Sequence, residues 1–195
     1  MANRCGRIAA LAATIALFAL PAPALAQSGG TGSGDSSGGS GDTSTSAGGG
    51  TGPAPTAPGE TAELLPNGDA VAPAGAPAQV QRAIEFANRI NRKPYVYGGG
   101  HKSWKIDRGY DCSGAVSYMI HGAGRKLLSS PLPSGSLARW GAAGPGEWIT
   151  VYANGGHAYA VVAGLRWDTS GGAGPRWHED MRSSRGFRAR HPLGL

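Results

Sequence analysis

No aromatic residue occurs between residues 27 and 77. That stretch holds 14 glycines, and its only charges are Asp35, Asp42, Glu60, Glu63 and Asp69. Such a composition buries too little apolar surface to offset chain entropy, so residues 27–77 read as a disordered Gly/Ser/Pro/Ala-rich linker. The foldable part is then residues 78–195, which hold all five Trp, all six Tyr and all five His. One ordinary domain fits that length, and a large multidomain enzyme is excluded. No apolar run reaches the roughly 20 residues of a membrane span. No two histidines, and no His with Cys112, stand at a metal-ligand spacing, so no zinc site is assigned. Internal repeats and nucleic-acid-binding motifs are lacking as well.

The first 26 residues hold a basic start in Arg4 and Arg7, an apolar stretch over residues 8–20, and a small-x-small site at Ala24-Leu25-Ala26. This pattern predicts a cleaved signal peptide, the alternative being an uncleaved anchor. Cys5 precedes the apolar run and none follows it where a lipoprotein needs one, so the chain reads as exported without a lipid anchor. Cleavage leaves Cys112 as the sole thiol. An unpaired Cys in an exported protein suggests a reactive group, although a buried inert thiol or an intermolecular bridge fits the count equally.

Within residues 78–92, Val80, Ala83, Ile84, Ala87 and Ile90 recur at helical spacing, and Pro94 closes the helix. Tyr95-Val96-Tyr97 reads as a short extended segment. A second helix is expected from Cys112 or Ser113, with Val116, Met119, Ile120 and Ala123 as its buried stripe and Gly122 and Gly124 as stop signals. Strands are expected over residues 148–153 and 157–165, joined by the turn signal Asn154-Gly155. Residues 166–168 continue the second strand or open a third, and residues 187–191 form a last one beyond a Gly/Pro-rich loop at 171–175. Helices first and antiparallel strands afterwards make an α+β domain.

The chemistry centres on one Cys and one His. A free thiol has a pKa near 8.5, so catalysis requires a lower value or a base alongside. Asp111-Cys112-Ser113-Gly114 ahead of an apolar helical stripe sets the sulfur at a helix N-terminus, where free N–H groups favour thiolate and can hold an oxyanion. Gly114 lets another backbone approach closely. Among the histidines, His157 is best placed as a base, since it opens an apolar strand just after Asn154-Gly155-Gly156. A structural role satisfied by a neighbouring polar group fits it too.

Four segments then carry a resemblance: Pro94-Tyr95-Val96-Tyr97-Gly98-Gly99; Tyr110-Asp111-Cys112-Ser113-Gly114; Pro145-Gly146-Glu147-Trp148-Ile149-Thr150-Val151-Tyr152; and Gly156-His157-Ala158-Tyr159-Ala160-Val161-Val162. Together and in this order they resemble the NlpC-type cell-wall cysteine peptidases. The resemblance implies a papain-like α+β fold, with the nucleophile helix packed on an antiparallel sheet that bears the His. It also implies hydrolysis of peptidoglycan stem peptides between D-glutamate and a diamino acid. Cys112 would be the nucleophile, His157 the general base, and Tyr95, Asp111 and Ser113 substrate-binding residues. Asp168, eleven positions after His157, matches the polar residue that orients the imidazole. A plain turn residue is the other reading of Asp168, and His178 or Asp180 could stand in for it. The family's chemistry needs no cofactor. Amidase or acyltransferase chemistry on the same fold is an alternative, as is a non-catalytic basic wall-binding module.

Residues 78–195 carry 16 basic against 7 acidic side chains, a net of +9. An exported domain this basic is drawn to anionic surfaces such as wall polymers, rather than to nucleic acid. Without a coiled-coil pattern or a long apolar face, a monomer is expected, secreted or associated with the cell wall.

Overall fold

Helix α1 (Ala78–Ile90) buries the five residues that share its apolar stripe, Val80, Ala83, Ile84, Ala87 and Ile90. Pro77 stands at its N-cap, and Asn91 ends it before Arg92 turns into the left-handed region at φ 64°. These features belong to a computed structural model that describes residues 60–195, together with the backbone of one two-residue strand before them. The expected signal peptide and the linker up to residue 59 otherwise lie outside the described residues.

Helix α2 (Cys112–Ala123) packs against α1 and is buried at every position except His121. Asp111 caps it, its Oδ1 accepting the Gly114 N–H at 2.7 Å, the standard use of an aspartate at this position. Gly124 ends the helix as expected. Gly122 does not act as a stop: it lies inside α2, where a Cβ would strike the Phe86 side chain and the Arg82 carbonyl of α1. The glycine allows the two helices to close on each other.

The segment expected to belong to the linker departs from that reading in residues 60–77. Strand β1 (Thr56–Ala57) pairs in parallel with β3 (Ala70–Pro73), which pairs antiparallel with β2 (Glu63–Leu64). Ala62, Ala70, Val71, Ala72 and Ala76 are buried, and β3 lies on α1. The Asn88 amide clamps β3 there, Oδ1 accepting the Ala70 N–H at 3.0 Å and Nδ2 donating to the Ala70 carbonyl at 2.8 Å. Small apolar residues suffice because α1 already supplies the rest of the buried surface. Composition without that partner reads as disorder.

The main sheet has six strands in the order β4-β9-β5-β6-β7-β8, each pair antiparallel. They are β4 (Ala142–Ala143), β5 (Ile149–Ala153), β6 (Ala158–Val162), β7 (Leu165–Asp168), β8 (Arg176–His178) and β9 (Arg188–His191). A short helix, α3 (Ser134–Leu137), precedes β4. The expected strand over residues 157–165 divides, because Ala163 (φ 45°) and Gly164 (φ 87°) form a two-residue left-handed turn before β7. Trp167 on β7 is fully buried, and its indole N–H donates to the Ala115 carbonyl at 3.3 Å, fastening α2 to the sheet. A helix bearing Cys112 thus packs on an antiparallel sheet, the papain-like α+β arrangement expected above.

Candidate active site

Two local devices set Cys112 at the mouth of a cleft. The first is the cap of α2, where Gly114 and Ala115 N–H groups go to Asp111. The Cys112 and Ser113 N–H groups have no acceptor among the described residues. The second is a close backbone crossing. The chain at Tyr95 bridges in parallel to Tyr110, and the Asp111 N–H donates to the Gly99 carbonyl at 3.2 Å. A Cβ on Gly114 would collide with that carbonyl, so glycine is needed for the turn of residues 94–100 to lie against the head of α2. This crossing brings Tyr95 beside Cys112. Tyr95 remains 47% exposed, and burial, with Cys112 and Asp111 nearby, raises its phenol pKa.

His157 is held in a loop, not in the strand that the sequence suggests. Between Ala153 and Ala158, the last pair of the β5–β6 ladder, the Asn154 side chain accepts the Gly156 and His157 N–H groups, both at 2.9 Å. The Asn154 N–H donates to the His157 carbonyl at 3.0 Å. His157 Nε2 meets Asp168 Oδ1 at 2.8 Å and Ser170 Oγ at 3.3 Å. That leaves Nδ1 as the ring nitrogen available to Cys112, a tautomer and orientation set by the carboxylate. Phe187 packs edge-on against the imidazole with centroids 6.2 Å apart.

Asp168 ends β7 with its side chain wholly inaccessible. Besides His157, it accepts Arg166 at 2.7 Å and Arg182 at 3.0 Å on Oδ2, and the Ser170 N–H at 3.0 Å on Oδ1. Burial raises its pKa, but hydrogen bonds from His157, Ser170 and Arg182 outweigh burial and hold it well below the usual carboxylate range. For His157, burial favours the neutral ring, whereas the hydrogen bond to Asp168 and the nearness of Cys112 favour the cation; the net effect pushes it up to about 9. Burial likewise opposes a Cys112 thiolate, yet interactions with His157 and the Ala158 N–H prevail and lower the thiol pKa. The interactions among the three side chains shift each toward its charged form, a thiolate, an imidazolium and a carboxylate in a row.

Asp111 and Ser113 adjoin the cleft, but the Asp111 carboxylate is engaged within the protein. It accepts Gly114 and Gly98 N–H groups, the Ser113 hydroxyl at 3.1 Å and the His101 imidazole at 2.9 Å. His101 lies on the cleft wall as well. No signal in the sequence singles it out, since its partner stands ten positions away across a loop of mixed composition. His178 and Asp180 lie 3.7 Å apart, and among the described residues Asp180 reaches the Asp168 cluster through Arg166. The cleft measures about 550 Å³, with Tyr95, Tyr97, Cys112, Ser113 and Ser134 among its walls. Among the described residues no group of His, Cys, Asp and Glu is arranged to hold a metal ion.

No family model matches the chain, and no curated protein does. Solved structures of two variants of the Resuscitation Promoting Factor Interacting protein RipA are similar to it at 24% identity, with TM-scores of 0.44 and 0.45. Those matches cover 59% and 60% of this chain and 65% of each RipA chain, so the chain spans just under two thirds of their length. RipD from Mycobacterium tuberculosis is similar at 19% identity, TM-score 0.44, over 60% of this chain and 100% of its own. It is described as a non-catalytic NlpC/p60 domain protein adapted to a peptidoglycan-binding function, and so carries a domain of the family that the four sequence segments resemble.

Proposed function

We propose that this chain is an exported NlpC-type cysteine endopeptidase that hydrolyses stem peptides of peptidoglycan, at the bond between D-glutamate and a diamino acid. The observation that carries the reading is a Cys at a helix N-terminus facing a His that a buried carboxylate orients, at the edge of an open cleft. Pure binding requires none of these three in that relation.

In the proposed reaction the Cys112 thiolate attacks the amide carbonyl carbon, and the carbonyl π electrons move onto oxygen. The free N–H groups at the head of α2 stabilise that oxyanion. As the tetrahedral centre collapses, the C–N bond breaks and His157 Nδ1–H passes its proton to the departing nitrogen. His157 then takes a proton from water as the oxygen attacks the thioester, and the Cys112 thiolate leaves. Asp168 holds the ring and offsets its positive charge throughout.

Mass spectrometry of products from defined muropeptides tests this reading. Fragments cut within the stem peptide, lost with Cys112→Ala, are expected. A freed lactyl group would indicate an amidase, and new cross-links a transferase. Intact peptides bound but never cut by the unaltered protein would indicate a wall-binding module such as RipD is described to be.

A further inference from the structure

Beyond the 154–157 loop lies a second hollow of about 340 Å³, bounded by Gly135 and Ala138 on the α3 side, by Asn154 and Gly155, and by Arg139 and Arg188. The two spaces share Gly155, and the α3 wall passes from Ser134 in one to Gly135 in the other. They are neighbouring hollows with the 154–157 loop as a shared rim. Arg188 is anchored by the β9–β5 ladder opposite Ala153, and Arg139 follows the C-cap residue Ala138 of α3. Both side chains are exposed, and neither has an ion-pair partner among the described residues. The loop between them is braced from both ends, Asn154 also donating to the Gly186 carbonyl at 3.2 Å.

Two unpaired guanidinium groups at fixed backbone positions around one hollow form a site for a planar anion, since each presents a fork of donors matching a carboxylate. We infer that the hollow beyond His157 is a subsite for a free carboxylate of the bound peptide, held by Arg139 and Arg188. The inference rests on the proposed peptidase reading for its orientation. His157 must protonate the departing amine, so substrate that continues past the His157 loop belongs to the leaving-group side. The carboxylate is therefore carried by the residue whose nitrogen leaves, or by one after it. This gives the domain's excess of positive charge a defined task at one place.

The test is equilibrium binding by the full chain carrying Cys112→Ala, with two defined muropeptides that differ only in whether the leaving-side carboxylates are free or amidated. The free acid is expected to bind about tenfold tighter or more, the effect of charge-assisted hydrogen bonds, and the preference is expected to shrink at high salt. Adding Arg139→Gln and Arg188→Gln should erase the preference by weakening the free acid alone. Equal affinity for the two peptides overturns the inference, as does a double variant that retains the preference. Binding of neither peptide overturns it too. Loss of a phosphate-rich wall polymer by the double variant, with both peptides bound alike, would reassign the arginines to the polymer. The comparison of peptides needs no arginine variant, so it is decisive even if the double variant folds poorly. Cleavage by the unaltered protein is measured separately. A preference for the free acid without cleavage would remove the peptidase reading and leave this subsite standing.

Discussion

Asp168→Asn separates the proposed mechanism from a merely structural cluster. The carboxylate is inaccessible and takes donors from His157 at 2.8 Å, Arg166 at 2.7 Å, and Arg182 and the Ser170 N–H at 3.0 Å each. Asparagine keeps the shape, removes the charge, and replaces one acceptor oxygen by a donor. The kcat/KM on a defined muropeptide is expected to fall by roughly 10³ to 10⁴, the scale found when the carboxylate behind a catalytic His becomes an amide. The pH profile moves as well. With Asp168 in place His157 stays protonated up to about 9, so the alkaline limb of activity should lie near there. In the variant that limb should retreat toward about 6.5, the ordinary imidazole value.

Stability follows the same group. A His whose folded pKa is raised adds stability that is fully present below about 6.5 and is lost as pH climbs through the folded value. For His157 that window runs up to about 9, and at most about 3 kcal/mol is involved. The variant should lose this dependence. It should also lose roughly 3 kcal/mol across the pH range in which the Asp168 carboxylate is ionised, because the buried Arg166 then keeps Asp180 as its only carboxylate among the described residues. For a domain of this size that lowers Tm by roughly 10 °C. Initial rates between about pH 5 and 10, taken below the melting range, and calorimetry over the same span supply both readings. An unchanged kcat/KM with the alkaline limb still near 9 would refute the role given to Asp168.

Three further outcomes are expected. Iodoacetamide should alkylate Cys112 at neutral pH faster than it does free cysteine, and His157→Gln should slow this about tenfold or more, followed by intact-mass spectrometry. Gly114→Ala, which inside a helix would ordinarily stabilise by about 1 kcal/mol, should instead destabilise by roughly 1–3 kcal/mol in urea unfolding, because the methyl meets the Gly99 carbonyl. A chain beginning at residue 78 should be less stable to urea than one beginning at residue 60 by at least about 3 kcal/mol, since it loses β3 from the face of α1. Equal stability would show that residues 60–77 contribute nothing to the core.

How much was legible in the residues differs from element to element. The stripe of α1 is a local repeat, and its five positions are those that the fold buries. Asp111 ahead of an apolar run likewise announces the start of α2, because capping is settled within four residues. The 154–157 loop was readable as a turn, but not its length, because the ladder closes at Ala153 and Ala158 and leaves His157 outside it. Strand β8 was not readable at all. Its three residues pair with β7 only after the 171–175 loop has folded back, and the sequence around them resembles any charged tail.

Short-range pattern alone writes the local grammar of this protein: two helices with their buried faces, a Cys at a helix start, and an α+β order of elements. Periodicity and capping act over a few residues, so they are written where they operate. It takes the docking of the elements to make Arg166 and Arg182 converge on Asp168, to bond His101 to Asp111, and to set Arg139 and Arg188 around one hollow. The same docking places residues 60–77, which hold no aromatic, against the fold, since burial there depends on a surface that α1 provides. Contacts between residues distant in sequence follow from how elements dock, and no short-range pattern encodes them.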